Sequence, residues 1–245
     1  MDQILTFAAV GFVAQMIDGT LGMAYGVSAT AFLLSIGVSP TVASASVHAA
    51  KVVANAISGL SHYGFGNVDR FLVRRLLLPG VGGAVVGSYL LARIPGKTVM
   101  PFVSAYLLAM GLLILLKSFR PIAPNRVQTY LTPLGLVGGF LDAVGGGGWG
   151  PIVVSTLVAR GNHPRFTIGS ANFAEFFVAL SVSGTFVLTI GLSYWQAILG
   201  LAIGGAIAAP IAAYLCRRVP LRALMILVGA LIMALSLRVL FLVLR

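Results

Sequence analysis

One short stretch of the sequence, ASVHAAKVVANA at 45–56, places polar side chains among small apolar residues. On an α-helix, His48, Lys51 and Asn55 are spaced i, i+3 and i+7, so they share one face. Lysine supplies a compact positive charge, histidine changes charge near physiological pH, and the asparagine amide can orient a ligand. This face predicts a site for a small anion and leaves proton coupling open.

A related pattern occurs later in the chain. Asn172 and Glu175, in GSANFAEFFVA, have the same spacing as His48 and Lys51. The polar face is therefore present twice, with a glutamate in the place of the lysine. The positive charge predicted for the site has a potential partner of opposite sign.

Charged residues are rare in this chain, which makes each of them informative. Of 245 residues, 59% are hydrophobic and 9% are charged, whereas a soluble domain usually carries about 25% charged residues. The composition predicts a polytopic membrane protein. Among its five acidic residues, Asp18, Asp142 and Glu175 lie within apolar segments or at their breaks. An ionisable residue in such a segment is costly, so each predicts a functional role.

The net charge of +11 does not indicate nucleic-acid binding, because the Lys and Arg residues lie mostly in short loops between apolar runs. Such loops are typical of the cytoplasmic face, where they contact anionic membrane lipid. The first residues, MDQILTF, lack the basic region and cleavage site of a removable signal peptide. A single cysteine, Cys216, excludes an internal disulfide and a Cys-rich metal site.

The chain contains an internal duplication. A shift of 124 residues aligns 11–50 with 135–174 without gaps, and among the identities are Asp18 with Asp142 and Gly22 with Gly146. The same shift matches Lys51 to Glu175 and His48 to Asn172. We therefore divide the chain into an N-terminal repeat, 1–122, and a C-terminal repeat, 123–245, which are expected to form one domain together.

Each repeat has the same order of apolar segments. The predicted segments are 4–17, 22–37, 40–62, 72–92 and 98–117, and then 129–141, 147–160, 164–190, 193–216 and 221–244. The last three of each set are long enough to cross a bilayer, which takes about 20 helical residues. The first two are too short, and they flank the Gly-containing breaks DGTLGMAYG and DAVGGGGWG.

The loop charges distinguish two ways of placing the short segments. If each short pair is a hairpin that returns to its starting side, the basic loops 63–75, 117–128, 160–165 and 217–222 all face the cytoplasm. If each pair is one long helix, Arg160, Arg165, Arg217, Arg218 and Arg222 lie outside. The hairpin arrangement fits the positive-inside rule, and only Arg93, Lys97 and Arg245 then face the other side.

The hairpin arrangement defines the predicted fold class. Three full spans and a returning hairpin make an odd repeat, so the second repeat inserts upside down. We predict an all-α polytopic membrane protein with two inverted-topology repeats, each with a short broken, re-entrant helical hairpin and three full transmembrane helices. In transporters of this architecture the substrate binds near the membrane midplane, beside the broken helices.

The two polar faces are expected to meet near that midplane. Lys51 would then hold an anion together with the backbone N–H groups of the half-helices. The predicted substrate-binding residues are His48, Lys51, Asn55, Asn172, Glu175, Gly22, Tyr25, Gly146, Gly147 and Trp149, with Asp18 and Asp142 as structural residues of the breaks.

Structural roles for the same residues stay open. Lys51 and Glu175 can form a purely structural ion pair, and His48 can be a hydrogen-bonded core histidine. Asp18 and Asp142 can cap the short helices that follow them. Two other histidines, His62 and His163, lie near loops and are expected to be solvated. The sequence contains no zinc, Walker or catalytic-triad spacing, so we predict neither an enzyme nor a cofactor or metal.

These motifs resemble the TauE/SafE (TSUP) sulfite exporter family. The resemblance rests on GFVAQMIDGTLGMAYG (11–26), GLVGGFLDAVGGGGWGPIVV (135–154), GVSPTVASASVHAAKVVAN (37–55) and GNHPRFTIGSANFAEFFVA (161–179). It implies a multi-pass carrier in the cytoplasmic membrane of a bacterium or archaeon. The implied substrates are small sulfur-containing anions such as sulfite, thiosulfate or organosulfonates. The first break is less Gly-rich than the second, so the two halves of the site are expected to differ.

The leading functional hypothesis is therefore a secondary transporter that works by alternating access, with protons as a candidate coupling partner and with membrane lipid around it. The alternative hypotheses are a passive anion channel on the same scaffold and, less favoured, a membrane enzyme or sensor. The sequence does not specify the direction of transport or the oligomeric state.

Overall fold

The computed structural model describes residues 2–119, 130–216 and 221–243. These residues form helices and no strands, which confirms the all-helical prediction. The helices of the first half are α1 (Asp2–Leu21), α2 (Tyr25–Ser35), α3 (Pro40–Gly64), α4 (Arg70–Arg93) and α5 (Gly96–Lys117). Those of the second half are α6 (Leu131–Gly145), a π-helical turn (Gly150–Val154) that continues into α7 (Ser155–Ala159), α8 (Pro164–Thr189), α9 (Trp195–Leu215) and α10 (Leu221–Val243).

The first helix is longer than the sequence pattern predicts. The expected segment ended at residue 17, but α1 continues through Asp18 to Leu21. The hydroxyl of Thr20 donates to the Met16 carbonyl at 2.7 Å, inside the last turn. The helix stops only where Gly22 adopts a left-handed φ of +68°, a conformation that glycine enters without a Cβ clash.

The second helix break also occurs at a glycine with a left-handed backbone conformation. Helix α6 passes Asp142 and ends at Gly145, and Gly146 has the same φ of +68° as Gly22. Both aspartates therefore lie inside helices, one turn before the breaks, and not in the breaks themselves. Glycine positions decide where the chain leaves the helix.

Within the ranges that the structure describes, six helices are long and apolar enough to cross a membrane: α1, α4, α5, α8, α9 and α10. Their exposed residues include Leu78, Phe102 and Leu188, which are 75%, 74% and 88% accessible, as expected for a surface that faces lipid. Helix α1 is among the six, although its segment was predicted to be too short. Helix α3 has 25 residues and is not among them, because its serines, His48, Lys51 and Asn55 make it more polar.

Helices of one half pack on helices of the other half, and the corresponding helices with the two halves exchanged pack in the same way. Helix α1 packs along α9, and its counterpart α6 packs along α4, the counterpart of α9. In the same way α3 packs on α9 while α8 packs on α4, and the matched pairs α3–α8 and α5–α10 pack on each other. This is the packing expected of two related halves. The inverted insertion of the halves stays a prediction.

Glycines allow the closest helix pairs to approach each other. A Cβ at Gly139 of α6 would lie 2.0 Å from the Gly80 carbonyl oxygen of α4. A Cβ at Gly204 of α9 would lie 1.9 Å from the Ala8 carbonyl oxygen of α1. Small residues permit this backbone contact in membrane bundles, where van der Waals packing replaces the hydrophobic effect.

Two of the basic loops lie at the same end of the bundle. Arg165, at the start of α8, donates to the carbonyl oxygens of Phe65 at 3.0 Å and Gly66 at 3.2 Å. The hairpin arrangement requires this, because it places the loops 63–75 and 160–165 on one side. Of the other basic residues used for that prediction, Arg120, Arg126, Arg217, Arg218 and Arg245 lie outside the described residues.

Replacing Gly139 by alanine tests the close contact between α6 and α4. Overpacking at this site is expected to destabilise the protein by about 1–3 kcal/mol or more, which a lower Tm of the purified protein in detergent would report. Gly184→Ala is the matched control, because Gly184 also lies within a helix and a Cβ added there would meet nothing within 4 Å. Equal melting temperatures for the two variants would contradict the packing argument.

Candidate functional site

The polar face of α3 is buried in the centre of the bundle. His48, Lys51 and Asn55 are 0%, 1% and 0% accessible. The Nζ atom of Lys51 lies 2.5 Å from Oε1 of Glu175, which projects from α8. The two residues that the repeat matches to each other are therefore in direct contact, and the lysine charge is neutralised across the two halves.

Asp142 of α6 joins this pair. Its carboxylate lies 3.3 Å from Lys51 Nζ and 3.0 Å from His48 Nε2. Oδ1 of the same carboxylate accepts hydrogen bonds from the backbone N–H groups of Gly148 at 2.8 Å and Trp149 at 3.1 Å. Asp142 thus reaches forward across the break and links the second broken helix to α3.

The contacts of His48 identify a shared proton. Its Nδ1 lies 2.8 Å from the Ser44 carbonyl oxygen, which can only accept, so Nδ1 carries a hydrogen. The Ser44 hydroxyl is already donated to the Ala143 carbonyl at 2.7 Å. The contact between Nε2 and Asp142 then requires one further proton, carried by the ring or by the carboxyl group. The pair is neutral as a whole in either arrangement.

Asp18 has a similar position in the first half but fewer partners. Its Oδ1 accepts from the backbone N–H of Tyr25 at 3.2 Å, at the start of α2. Its Oδ2 has no hydrogen-bond partner within the described part of the chain, and the residue is 2% accessible. Both aspartates therefore contact the helix that follows their break, but only Asp142 also contacts cations.

The glycines of the two breaks pack directly on each other. A Cβ at Gly147 would lie 2.2 Å from the Val27 nitrogen, and a Cβ at Gly150 would lie 2.3 Å from the Met23 Cα. The hydroxyl of Thr30 donates to the Gly146 carbonyl at 2.8 Å. The two breaks cross at backbone-to-backbone distance beside a group of buried ionisable residues that we call the charged cluster: Asp18, His48, Lys51, Asp142 and Glu175.

Three predicted site residues are engaged elsewhere. The Tyr25 hydroxyl donates to the Leu201 carbonyl at 3.0 Å, and Trp149 Nε1 donates to the Ala171 carbonyl at 3.2 Å. Asn172 donates to the Ile168 carbonyl and accepts from Ser58, each at 3.1 Å. These side chains link the helices around Lys51, and none of them forms a hydrogen bond to it in the described part of the chain.

Some residues near the cluster were missed in the sequence. Gln15 is fully buried, and neither atom of its amide group has a partner among the residues described. The sequence did contain an indication of this residue, because Gln15 is a polar residue in an apolar segment, one turn before Asp18. Tyr106 of α5 donates to the Gly147 carbonyl at 3.1 Å, which no sequence pattern marks.

His62, expected to be solvated, is 0% accessible, and its Nδ1 lies 3.1 Å from the Asn67 side-chain amide.

Two cavities lie away from this cluster, in repeat-related places. One, of about 440 Å³, is lined by Val68, Asp69, Leu72, Gly161, Asn162, His163, Phe166 and Thr167. The other, of about 270 Å³, is lined by Val38, Ser39, Val42, Ser193 and Tyr194. The repeat matches Val42 to Phe166 and Ser39 to His163. We call these cavities the larger and the smaller vestibule; neither is lined by Lys51, Glu175 or Asp142.

The cluster has the chemistry of a charge-binding site. It combines one lysine charge, one shared proton and backbone N–H groups at two helix breaks, all screened from solvent. No group of three His, Cys, Asp or Glu residues suited to a metal ion occurs in the ranges that the structure describes.

Comparison with known proteins agrees with the resemblance noted in the sequence. The family model described as "Sulfite exporter TauE/SafE" matches residues 7–239. The chain is 41% identical over 252 residues to the "Probable membrane transporter protein YtnM" of Bacillus subtilis (strain 168), across 98% of this chain and 83% of that protein. No solved structure gives a significant match. The chain therefore belongs to the TauE/SafE sulfite exporter family and is a multi-pass membrane transporter, not an enzyme.

Proposed function

We propose that this transporter carries small sulfur-containing anions across the cytoplasmic membrane of a bacterium or archaeon by alternating access. The observation that carries the proposal is Lys51, a fully buried cation held by Glu175 at 2.5 Å and Asp142 at 3.3 Å. A cation at this depth is expensive unless it is paired, and its pairing partners are carboxylates that an anion can replace. The residues 1–122 and 123–245 act as the two inverted repeats of one transport domain.

The anion binds by exchange. A buried ion pair that loses one partner is destabilised by about 3–5 kcal/mol, so Lys51 releases Glu175 only when another negative group takes its place. Glu175, displaced from the lysine, then takes up a proton instead of remaining as an unpaired buried charge. This exchange couples the uptake of one proton by Glu175 to each anion that enters the site.

The broken helices complete the binding site. Asp142 accepts hydrogen bonds from the N–H groups of Gly148 and Trp149, and Asp18 accepts one from that of Tyr25. Asn55 and Gln15 are buried with amide groups that lack partners in the described ranges. A sulfite or sulfonate group presents three oxygen atoms, which suits a set of donors made of one ammonium and several amide groups. The family description "Sulfite exporter" supports the same substrate class.

Alternating access uses the two vestibules. They are related by the repeat and lie apart from the charged cluster, so a rearrangement that opens one and closes the other exposes the site to each side in turn. The direct ion pair at the centre favours a carrier over the passive channel, because a channel needs a continuous open path.

The substrate-binding role of Lys51 is tested with the double variant Lys51→Met/Glu175→Gln, which removes both charges of the pair and leaves His48 as the partner of Asp142. A hydrogen bond to a charged group contributes roughly 1.5–3 kcal/mol, so we expect saturable, pH-gradient-driven uptake of radiolabelled thiosulfate or sulfite by proteoliposomes to fall by about tenfold or more.

Lys97→Ala is the matched control, because Lys97 is exposed at the start of α5. This variant should transport at the wild-type rate. Normal uptake by the double variant, with a normal melting temperature, would remove Lys51 from the site.

The substrate class is tested by the change in Tm on adding sulfite, thiosulfate, sulfate or organosulfonates to the purified protein. A ligand at 100 times its Kd stabilises the folded state by about 2.7 kcal/mol, so the true substrates raise the Tm of the wild type and not that of Lys51→Met/Glu175→Gln. Acetate and other simple carboxylates serve as the comparison. Equal stabilisation by carboxylates would contradict selectivity for sulfur-containing anions.

The alternation of the vestibules is tested with two cysteine variants, Phe166→Cys and Val42→Cys, each in a Cys216→Ser background. Phe166 lines the larger vestibule and Val42 the smaller. We expect a substrate anion to change the two labelling rates in opposite directions, because only one vestibule opens at a time. Rates that rise together would favour the channel.

A further inference from the structure

The charged cluster contains three carboxylates, Asp18, Asp142 and Glu175, and two side chains that can be cationic, His48 and Lys51. The contacts sort four of these groups into neutral pairs. Lys51 contacts Glu175 at 2.5 Å, and His48 shares a proton with Asp142 at 3.0 Å. Asp18 is the carboxylate that remains, and it belongs to neither pair.

The repeat explains why Asp18 has no cation beside it. The positions that correspond to the two cationic partners of Asp142 are occupied by Asn172 and Glu175. Asn172 is hydrogen-bonded to the Ser58 hydroxyl and the Ile168 carbonyl, and Glu175 is itself acidic and is bound to Lys51. The duplication therefore provides a basic environment for one aspartate and a neutral to acidic environment for the other.

The hydrogen bonds of Asp18 do not compensate a full charge. Its carboxyl group has the Tyr25 N–H at 3.2 Å on Oδ1, and Oδ2 has no partner in the described structure. At 2% accessibility the group is withdrawn from solvent. A buried carboxylate with one hydrogen bond is strongly disfavoured relative to the neutral acid.

The other groups around Asp18 do not change this balance. Asp142 and Glu175 are its acidic neighbours, and Lys51, the cation within electrostatic range, is held by both of them. Tyr25 of α2 donates its backbone N–H to Asp18, and His62 of α3 lies near the Gly19 backbone. Helix α9, which packs along α1, has no Asp, Glu, Lys, Arg or His. The arginines of α10, Arg222 and Arg238, are exposed.

We propose that Asp18 must hold a proton whenever both vestibules are closed off from the charged cluster, as they are in this structure. Protonation of this one carboxyl group then gates the alternation of the transporter. In an open state, water reaches Asp18 and the group ionises by releasing its proton to that water. On closure Oδ2 takes a proton back and forms an O–H group. Gln15 lies one turn earlier on α1, and neither atom of its buried amide group has a described partner.

This role differs from the proton taken up by Glu175, because it needs no substrate. In the structure Glu175 is paired with Lys51, so the closed state depends on the proton of Asp18 rather than that of Glu175. The inference rests on the proposed function only in that opening and closing belong to alternating access. The experiment can therefore be made without any anion substrate.

The experiment measures distances between spin labels in anion-free protein as a function of pH. One label pair, Val68→Cys with Phe166→Cys, spans the larger vestibule, and a second pair, Val42→Cys with Tyr194→Cys, spans the smaller. All proteins carry Cys216→Ser. Because closure binds one proton, we expect the ratio of closed to open protein to fall by about tenfold per pH unit once Asp18 titrates, seen as widening of one pair.

Asp18→Asn keeps the shape of the side chain and cannot ionise, so it should stay closed across the same pH range. Asp2→Asn, a change of the same kind at the start of α1, should behave like the wild type. Opening of Asp18→Asn with the wild-type pH dependence would overturn the proposal, as would a wild type whose distances do not change with pH.

If Asp18→Asn does not fold, infrared spectroscopy of the wild type decides the question. The C=O stretch of a protonated carboxyl group should disappear over the pH range in which the vestibule opens, and a spectrum without such a band would overturn the assignment. Failure of the Lys51 transport test, with the pH response of Asp18 intact, would reject the proposed function and leave this inference standing.

Discussion

The structure depends on the burial of one positive charge. Lys51 is 1% accessible and lies where the helices of both halves meet, so its charge must be balanced by groups from those helices. Glu175 comes from α8 and Asp142 from α6, and each makes contact only if its helix is correctly placed. The ion pairs therefore constrain the register of three helices at once. Buried ion pairs of this kind add little net stability, but they disfavour arrangements in which the charge stays unpaired.

The glycine-rich breaks and the charged cluster depend on each other. Asp142 binds Lys51 and His48 on one side and the N–H groups of Gly148 and Trp149 on the other. Non-helical backbone at membrane depth needs such partners, since no bulk water is present to satisfy it. The close crossing of the two breaks then needs glycine, because a Cβ at Gly147 has no room beside Val27. The same aspartate thus supports the backbone at the break and balances the lysine charge.

The two halves have related packing and different chemistry. Exchanged helix pairs, such as α1 with α9 and α6 with α4, give similar surroundings to matched positions. The substitution of Lys51 by Glu175 and of His48 by Asn172 in the second half then makes one side of the centre basic and the other acidic. This difference lets Lys51 pair with Glu175 across the halves, and it leaves Asp18 without a cation. A fully symmetric centre would place like charges in contact.

The sequence alone determined the helical membrane class, the duplication, the order of segments and the family, because composition and repeated motifs are properties of the chain itself. It also predicted the contact between Lys51 and Glu175 as one alternative, because the polar faces of the two matched segments were expected to meet near the membrane midplane. The tertiary structure decided the remaining features. It placed Asp142 between His48 and Lys51, turned Tyr25, Trp149 and Asn172 to other partners, and buried Gln15 one turn before Asp18. These outcomes depend on which helix faces meet and on the register of the helices along their axes. Packing between segments that are distant in sequence sets both, and a local sequence pattern contains no information about that packing.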